Sequence, residues 1–372
     1  MQLPRKAPSR SRRRLLAATA TGLLATLSLA ACSDAGDGAS GELNVIGWGG
    51  SYGDALHEYV GDPFTDDTGI AVTLQEQGTA ADSLAKLQAE ISAPTTDIWL
   101  TTGALPYLLA KQDGLEPLDP EVVTNLADLF PSTVLTIDGK VYAAPIHLGG
   151  ELIIVDRDRI RDFIPDYDKS MLSSWKFLYR PELKNQIAIA PFTGLYGATL
   201  IGASMPYGGS ENDEEAFFAA MRKLAPNVRT IPQSSFVPLF QTKEVVASMG
   251  SPADALELVQ SGANVDIGYP LDPLEMFLDY IVALKGGPAG SEAQMDFINR
   301  ALDSETLTKY DGALGYLSPN SKSVQPELGG LPELTTEDML EKGWTIDYEV
   351  AIQNFDAWNE RFQQEIVPLF GK

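Results

Sequence analysis

The chain has 372 residues, of which 44% are apolar and 21% charged. That composition supports a globular core in one large or two ordinary domains, not a disordered chain. Against 51 Asp+Glu stand 27 Lys+Arg, a formal net charge of −24, which excludes a nucleic-acid surface built on clustered bases. One Cys and two His exclude a disulfide framework and a Cys/His zinc cluster.

Residues 1–31 hold Arg5, Lys6, Arg10, Arg12, Arg13 and Arg14 and no acid, followed by the apolar stretch Leu15–Ala31. A basic head, an apolar middle and small residues at the end make a secretory signal. The sole cysteine closes it in Leu29-Ala30-Ala31-Cys32, and Ser33–Gly41 is a Gly/Ser/Asp-rich tether. The box resembles that of bacterial lipoproteins, which implies a signal at 1–31, lipidation of Cys32 and a tether at 32–41. Ser11-Arg12-Arg13-Arg14-Leu15-Leu16 also resembles a twin-arginine signal, so the export route stays open.

Glu42–Ile46 alternates as a first strand. The glycine-rich turn Gly47–Gly53 follows, then a helix from Asp54. A strand is expected over Ile70–Leu74, a helix over Ala80–Ile91, a strand over Asp97–Leu100 and a further helix after Thr101-Thr102-Gly103. This alternation argues for an α/β fold with a parallel sheet. Asp138-Gly139-Lys140 turns a hairpin between Val134–Ile137 and Val141–Ile146, and Glu151–Asp156 is another strand. The rhythm then restarts with strands at Ile187–Ala190, Val245–Met249, Val265–Tyr269 and Tyr280–Leu284. Helices are expected over Ala198–Ser204, Glu214–Leu224, Pro252–Gln260, Glu292–Leu302 and Phe355–Ile366. Two rhythms joined near 147–151 suggest two lobes, with ligand at the carboxyl ends of strands or between the lobes.

Gly49-Gly50-Ser51-Tyr52-Gly53 matches G-x-S-x-G between a strand and a helix, so a serine esterase using Ser51 with His147 as base is one reading. The same glycines serve any tight strand-to-helix turn, whose backbone N–H groups can hold an anion. The aromatics Trp48, Tyr52, Phe192, Tyr196, Tyr269 and Tyr316 fall in or beside loops that follow strands or turns, as the lining of a small-solute cleft would.

Leu43–Tyr52, Pro63-Phe64, Thr68-Gly69-Ile70-x-Val72, Asp97–Leu100, Tyr142–Pro145, Ser174-Trp175-x-x-Leu178, Pro181-Glu182-x-Lys184 and Gly315-Tyr316-x-x-Pro319-Asn320 together resemble the extracellular solute-binding proteins of bacterial ABC transporters, of the spermidine/putrescine-binding type. The resemblance implies a two-lobed periplasmic-binding-protein fold. Each lobe would be a mixed, mostly parallel sheet flanked by helices, with a hinge of two crossovers near Glu151 and Asp279. Lobe one would be 42–150 plus 280–325, and lobe two 151–279 plus 326–372.

It implies no catalysis and no cofactor or metal. The partners would be a small organic ligand, a permease and, through the lipid anchor, the membrane. A ligand-binding component of a sensory system is the alternative within this class. Trp48, Thr102, Tyr316 and Asp279 match the family's cleft residues, and Phe277 replaces a tryptophan. With Ser51, Tyr52, Glu151, Phe192, Thr193, Tyr196 and Tyr269 they form the expected ligand-binding set. The loop Pro191–Tyr196 lacks the acids of polyamine receptors, and Ser251 stands where they place another tryptophan, so a smaller amine or an amino-acid-like or opine-like solute fits as well. No Lys or Arg lies within four residues of Asp279, and the nearest base to Glu151 along the chain, Arg157, is six residues on. Either backbone N–H groups or a base distant in sequence satisfies these carboxylates, or the ligand is an amine that supplies the missing cation.

Overall fold

The computed structural model describes residues 41–232, 235–325 and 330–372. The leader, Cys32 and the tether up to residue 40 lie outside the described residues. Among the described residues twelve strands fall in two sheets. The first half supplies β1 (Glu42–Gly47), β2 (Ala71–Glu76), β3 (Ile98–Thr102), β4 (Leu115–Glu116), β5 (Leu135–Ile137) and β6 (Lys140–Gly149). Then come β7 (Leu152–Asp156), β8 (Ile187–Ala188), β9 (Val228–Thr230), β10 (Ala247–Gly250), β11 (Val265–Gly268) and β12 (Phe277–Leu284).

One sheet runs β2-β1-β3-β12-β6-β5, with β4 also on β12, and the other runs β11-β7-β10-β8-β9. Both are mixed. β1 pairs in parallel with β2 and β3, and β8 with β9 and β10. The antiparallel pairs centre on β12 and β7, the strands next to the hinge. A chain that returns across a hinge enters its sheet reversed, which makes the sheets less parallel than the strand–helix alternation implied. Phe277–Asp279 belong to the first sheet, opposite Gly149, Leu148 and His147.

The first helical stretch runs from Ser51 to Thr68 with a π turn at His57–Gly61. Pro63 lies just beyond that turn; it has no N–H to donate, and the widened turn accommodates its ring. Gly69, at φ 74°, ends the helix with its N–H on the Thr65 carbonyl at 2.8 Å. Thr79 caps helix Ala80–Glu90 by accepting from the Asp82 N–H at 3.1 Å. Each sheet buries its own core: Leu43, Ile98, Leu100 and Ile281 in one, Ile153, Trp175, Phe217 and Met249 in the other.

The C-terminal helix starts at Tyr348, earlier than expected, and its Ala351 and Trp358 pack into the second core. Helix Ser304–Leu314, which the apolar pattern did not reveal, packs on the first. The hinge holds three passages of chain. Leu148 and Leu317 exchange backbone hydrogen bonds at 3.0 and 2.9 Å. Trp344 bonds to Leu274 and Met276, each at 2.7 Å. The contacts of Leu317 and Trp344 there add a third passage to the two expected crossings. No helix among the described residues is long and apolar enough to cross a membrane.

Candidate functional site

A cleft of about 1100 Å³ opens where loops of both sheets face each other. The first sheet contributes the turn after β1, the end of β3 and the start of β12. The second contributes Pro191–Tyr196 after β8, Thr230 at the end of β9 and Ile231 beyond it, and the start of helix Pro252–Gln260 after β10. The glycines of the first turn answer to packing and backbone geometry. A Cβ on Gly49 would lie 2.3 Å from the Glu76 carboxyl carbon, and Gly50 has φ 61°.

Asp279 lies on the cleft floor, 5% exposed, with Thr102 and His147 as its neighbours on β3 and β6. Burial pushes its carboxyl up to about 6, while the nearby His147 ring and the Thr102 hydroxyl draw it back. Under it, His147 is fully buried and its Nδ1 contacts Asp311 Oδ1. Tyr52, Tyr310 and Tyr316 surround that imidazole at ring-centroid distances of 5.0, 4.6 and 5.1 Å. Above it, the ring of Trp48 tilts on Tyr52 at 4.8 Å. A Cβ on Gly149 would meet the rings of Phe277 and Tyr316 at 2.8 and 2.9 Å, so only glycine lets those rings close over β6.

The two halves touch at several points. Gly315 ends helix Ser304–Leu314 at φ 79°, and a Cβ there would stand 3.1 Å from the Pro252 carbonyl oxygen. Ser251, from the opposite half, lies beside the Tyr316 side chain in the cleft wall. Gly103, at φ 60°, faces the Tyr348 hydroxyl, which would lie 2.7 Å from its Cβ. Leu195 and Tyr196 hold left-handed backbone angles, φ 47° and 56°, and pack against apolar clusters of both halves. For non-glycine residues such angles carry strain, which clusters where loops contact ligand or a moving partner.

Of the expected set, Trp48, Ser51, Tyr52, Thr102, Glu151, Phe192, Thr193, Tyr196, Asp279 and Tyr316 line the cleft. Phe192 does so with one edge only, since it stacks on Phe355 and Phe362 and is 2% exposed. Tyr269 does not line it. β11 ends at Gly268, and the next ring turns into the hinge, between apolar groups around Ile267 and around Leu148 and Leu317. The Ser51–His147 pair also fails as chemistry: Ser51 is exposed at its helix start, and His147 is sealed beneath Tyr52. Among the described residues no hydrogen bond joins the two.

Residues that the sequence did not single out include Glu76, Arg229, Asp254, Glu257, Tyr348 and Phe355. Among the described residues the lining carries five acids and one base, Arg229, which pairs with Glu244 at 3.4 Å. Asp254 is committed to its own helix. Its Oδ2 accepts from the Ser251 N–H at 3.1 Å and hydroxyl at 2.7 Å, and the Ser251 hydroxyl accepts from the Asp254 N–H at 3.2 Å. Among the described residues no group of three His, Cys, Asp or Glu is placed to hold a metal.

Two α/β lobes around an acidic, aromatic-lined cleft make the architecture of a binding protein. Residues 60–337 match the model for bacterial extracellular solute-binding proteins, and the chain belongs to that family. A spermidine/putrescine-binding periplasmic protein of Salmonella typhimurium is 24% identical over 310 residues, covering 81% of this chain and 86% of that one. The spermidine/putrescine substrate-binding protein PotD of Streptococcus pneumoniae shares the fold, with TM-score 0.61, 18% identity and coverage of 86% and 100%. So does the periplasmic binding protein AfuA of Actinobacillus pleuropneumoniae, solved with fructose-6-phosphate, at TM-score 0.69, 19% identity and coverage of 87% and 98%.

Proposed function

We propose that this chain is the solute receptor of an ABC importer, held on the outer face of the cell membrane by a lipid on Cys32. In this reading it captures a small amine-bearing ligand between its lobes and presents the closed form to the permease. The observation that carries the reading is Asp279: a desolvated carboxylate on the cleft floor, beneath aromatic rings and without an ion pair to Lys or Arg among the described residues. A buried carboxylate is stable when a cation meets it, and a ligand ammonium does so while its alkyl body packs on Trp48, Phe277 and Tyr316. The relatives named for spermidine and putrescine support an amine.

The phosphate-binding alternative, which AfuA exemplifies, is disfavoured here. The N-terminus of helix Pro252–Gln260 faces the cleft, but Pro252 has no N–H, the Asp254 N–H donates to the Ser251 hydroxyl, and the Asp254 carboxylate that accepts from the Ser251 N–H puts negative charge there. A long polyamine is also disfavoured, because Pro191–Tyr196 brings no acid to the far wall. Closure moves residues 42–150 with about 277–325 against the remainder, around the hinge passages.

The test is a thermal-shift screen of the mature protein against amines, amino acids, opines and sugar phosphates. A ligand at 100 times its Kd adds ~2.7 kcal/mol. Stabilisation by an amine supports the reading, and stabilisation by anions alone rejects it.

A further inference from the structure

The cleft continues past its acidic floor to a wall that the ammonium on Asp279 does not use. At about 1100 Å³ it exceeds the roughly 300–1,000 Å³ of pockets for drug-sized ligands, so the ligand has room for a body beyond its amine. Tyr196, Phe355 and Phe370 line it from the second half, each half-buried. They belong to one aromatic row. Tyr196 meets Phe355 edge-on at 5.1 Å, and Phe355 stacks on Phe192 at 6.0 Å. Phe192 stacks on Phe362 at 5.1 Å, and Phe362 meets Phe370 at 6.5 Å. Phe192 and Phe362 are buried in the second core, so the row is anchored there and presents its other three members to the cleft.

This wall brings no carboxylate. The five acids of the described lining lie on β2, at the hinge, on helix Pro252–Gln260 and on β12. The lining base, Arg229, pairs with Glu244.

The C-terminal helix sets the distance between floor and wall. Tyr348 and Phe355 stand two turns apart on helix Tyr348–Arg361, on one face and about 10 Å apart along its axis. The Tyr348 hydroxyl meets Gly103, next to Thr102, and Thr102 pairs with Asp279 across β3 and β12. Tyr348 also lies within electrostatic reach of both Asp279 and Tyr196. The start of the helix thus stands beside the acid, and its Phe355 stands in the aromatic row.

We propose that the cleft selects an arylalkylamine: one ammonium on Asp279 and, about 10 Å along, an aromatic ring against Tyr196, Phe355 and Phe370. This rests on the amine reading above and names the rest of the ligand. A ring against rings gains buried apolar area and aromatic contact. A second ammonium at that wall would lose its water with no carboxylate to meet it.

The experiment is calorimetry on the mature protein at pH 7.5 with three probes of similar extended length: 4-phenylbutylamine, 1,8-diaminooctane and 4-phenyl-1-butanol. Wild type is expected to bind 4-phenylbutylamine at least tenfold more tightly than either of the others. Phe355→Ser and, near the C-terminus, Phe370→Ser should each weaken 4-phenylbutylamine at least threefold and 1,8-diaminooctane less than twofold. Phe355→Leu, which keeps the site apolar, should bind closer to wild type than Phe355→Ser does.

A wild type that binds the diamine as tightly as 4-phenylbutylamine overturns the proposal and leaves the amine reading in place. So does wild-type affinity for 4-phenylbutylamine in both serine variants. If 4-phenyl-1-butanol binds as tightly as 4-phenylbutylamine, the amine reading fails and the aromatic wall stands. Binding of none of the three overturns the proposal.

Discussion

Asp279 and His147 face each other across β12 and β6, and the register between those strands shifts immediately after Asp279. The irregularity sets the acid at the cleft floor while Ile281–Leu284 continue β12 as a buried core strand. His147, in contact with Asp311 from helix Ser304–Leu314, puts a polar row behind the carboxylate of the cleft floor. Behind the cleft floor the chain thus places an acid, an imidazole and a second acid on neighbouring elements.

Replacing Asp279 by Asn keeps the shape and removes the anchor. An amine ligand found in the screen should lose ~2–5 kcal/mol of affinity, mostly through faster dissociation. Stopped-flow dissociation and calorimetry measure both. An Asp279→Asn protein that holds the amine as tightly as wild type removes Asp279 from the site.

Trp48 is half-buried and leans on Tyr52, whereas Trp99 and Trp175 are fully enclosed. Trp48→Ala should therefore weaken an amine ligand by ~1–3 kcal/mol and abolish most ligand-induced change in tryptophan fluorescence. Its effect on apo stability should stay well below the ~3–5 kcal/mol expected for truncating either enclosed tryptophan. Equal losses of stability at all three positions would make Trp48 a core residue only.

Much of this was legible in the chain because apolar spacing reports burial. Helices Ala198–Ser204, Glu214–Leu224 and Pro252–Gln260 form over the expected residues. Helix Ser304–Leu314 escaped, although its signals were present: Asp303 caps it, Gly315 ends it, and Leu307, Tyr310 and Leu314 face inward. Lys309 and Asp311 within that stretch masked the stripe, and Asp311 is the residue that meets His147. Tyr269 was misplaced because a loop position says nothing about which way a ring turns. The approach of Gly150 to the Glu275 carbonyl could not be read at all, since residues 125 apart in sequence meet only in the folded hinge.

Gly149→Ala tests the packing of the floor. The added methyl must force Phe277 and Tyr316 apart, both 6% exposed. The expected cost is ~1–3 kcal/mol of stability, read as a lower urea midpoint at unchanged slope, together with weaker ligand binding. A midpoint equal to wild type would mean that the rings rearrange freely.

Cys32→Ala tests the anchor, on the motive of a sole cysteine closing Leu29-Ala30-Ala31 after a basic, apolar leader. In a bacterial host, wild type should partition into the detergent phase of a cell extract and the variant into the aqueous phase. Identical partition of the two into the aqueous phase rejects lipidation.

The buried acids make a pH prediction with a definite sign. Asp279 rises from an ordinary 3.8 to about 6 and Glu275 from 4.5 to about 8, and burial also raises Glu151, Asp311 and Asp97. Each group keeps its proton in the folded chain at a pH where the unfolded chain has released it. The stability this contributes is present in full below pH ~4 and is lost as pH rises, through about 6 for Asp279 and about 8 for Glu275. Salt-bridged surface acids such as Glu365 work in the opposite sense, but they are exposed and screened. The ligand-free protein should therefore melt at a higher temperature at pH 5.5 than at pH 8.5. Glu275→Gln should flatten the upper part of that slope, by on the order of 3 kcal/mol across it. A bound monocation at Asp279 holds that carboxylate ionised and should flatten the lower part. A wild-type Tm that rises between pH 5.5 and 8.5, or a Glu275→Gln protein with an unchanged slope, contradicts the burial of charge at this hinge.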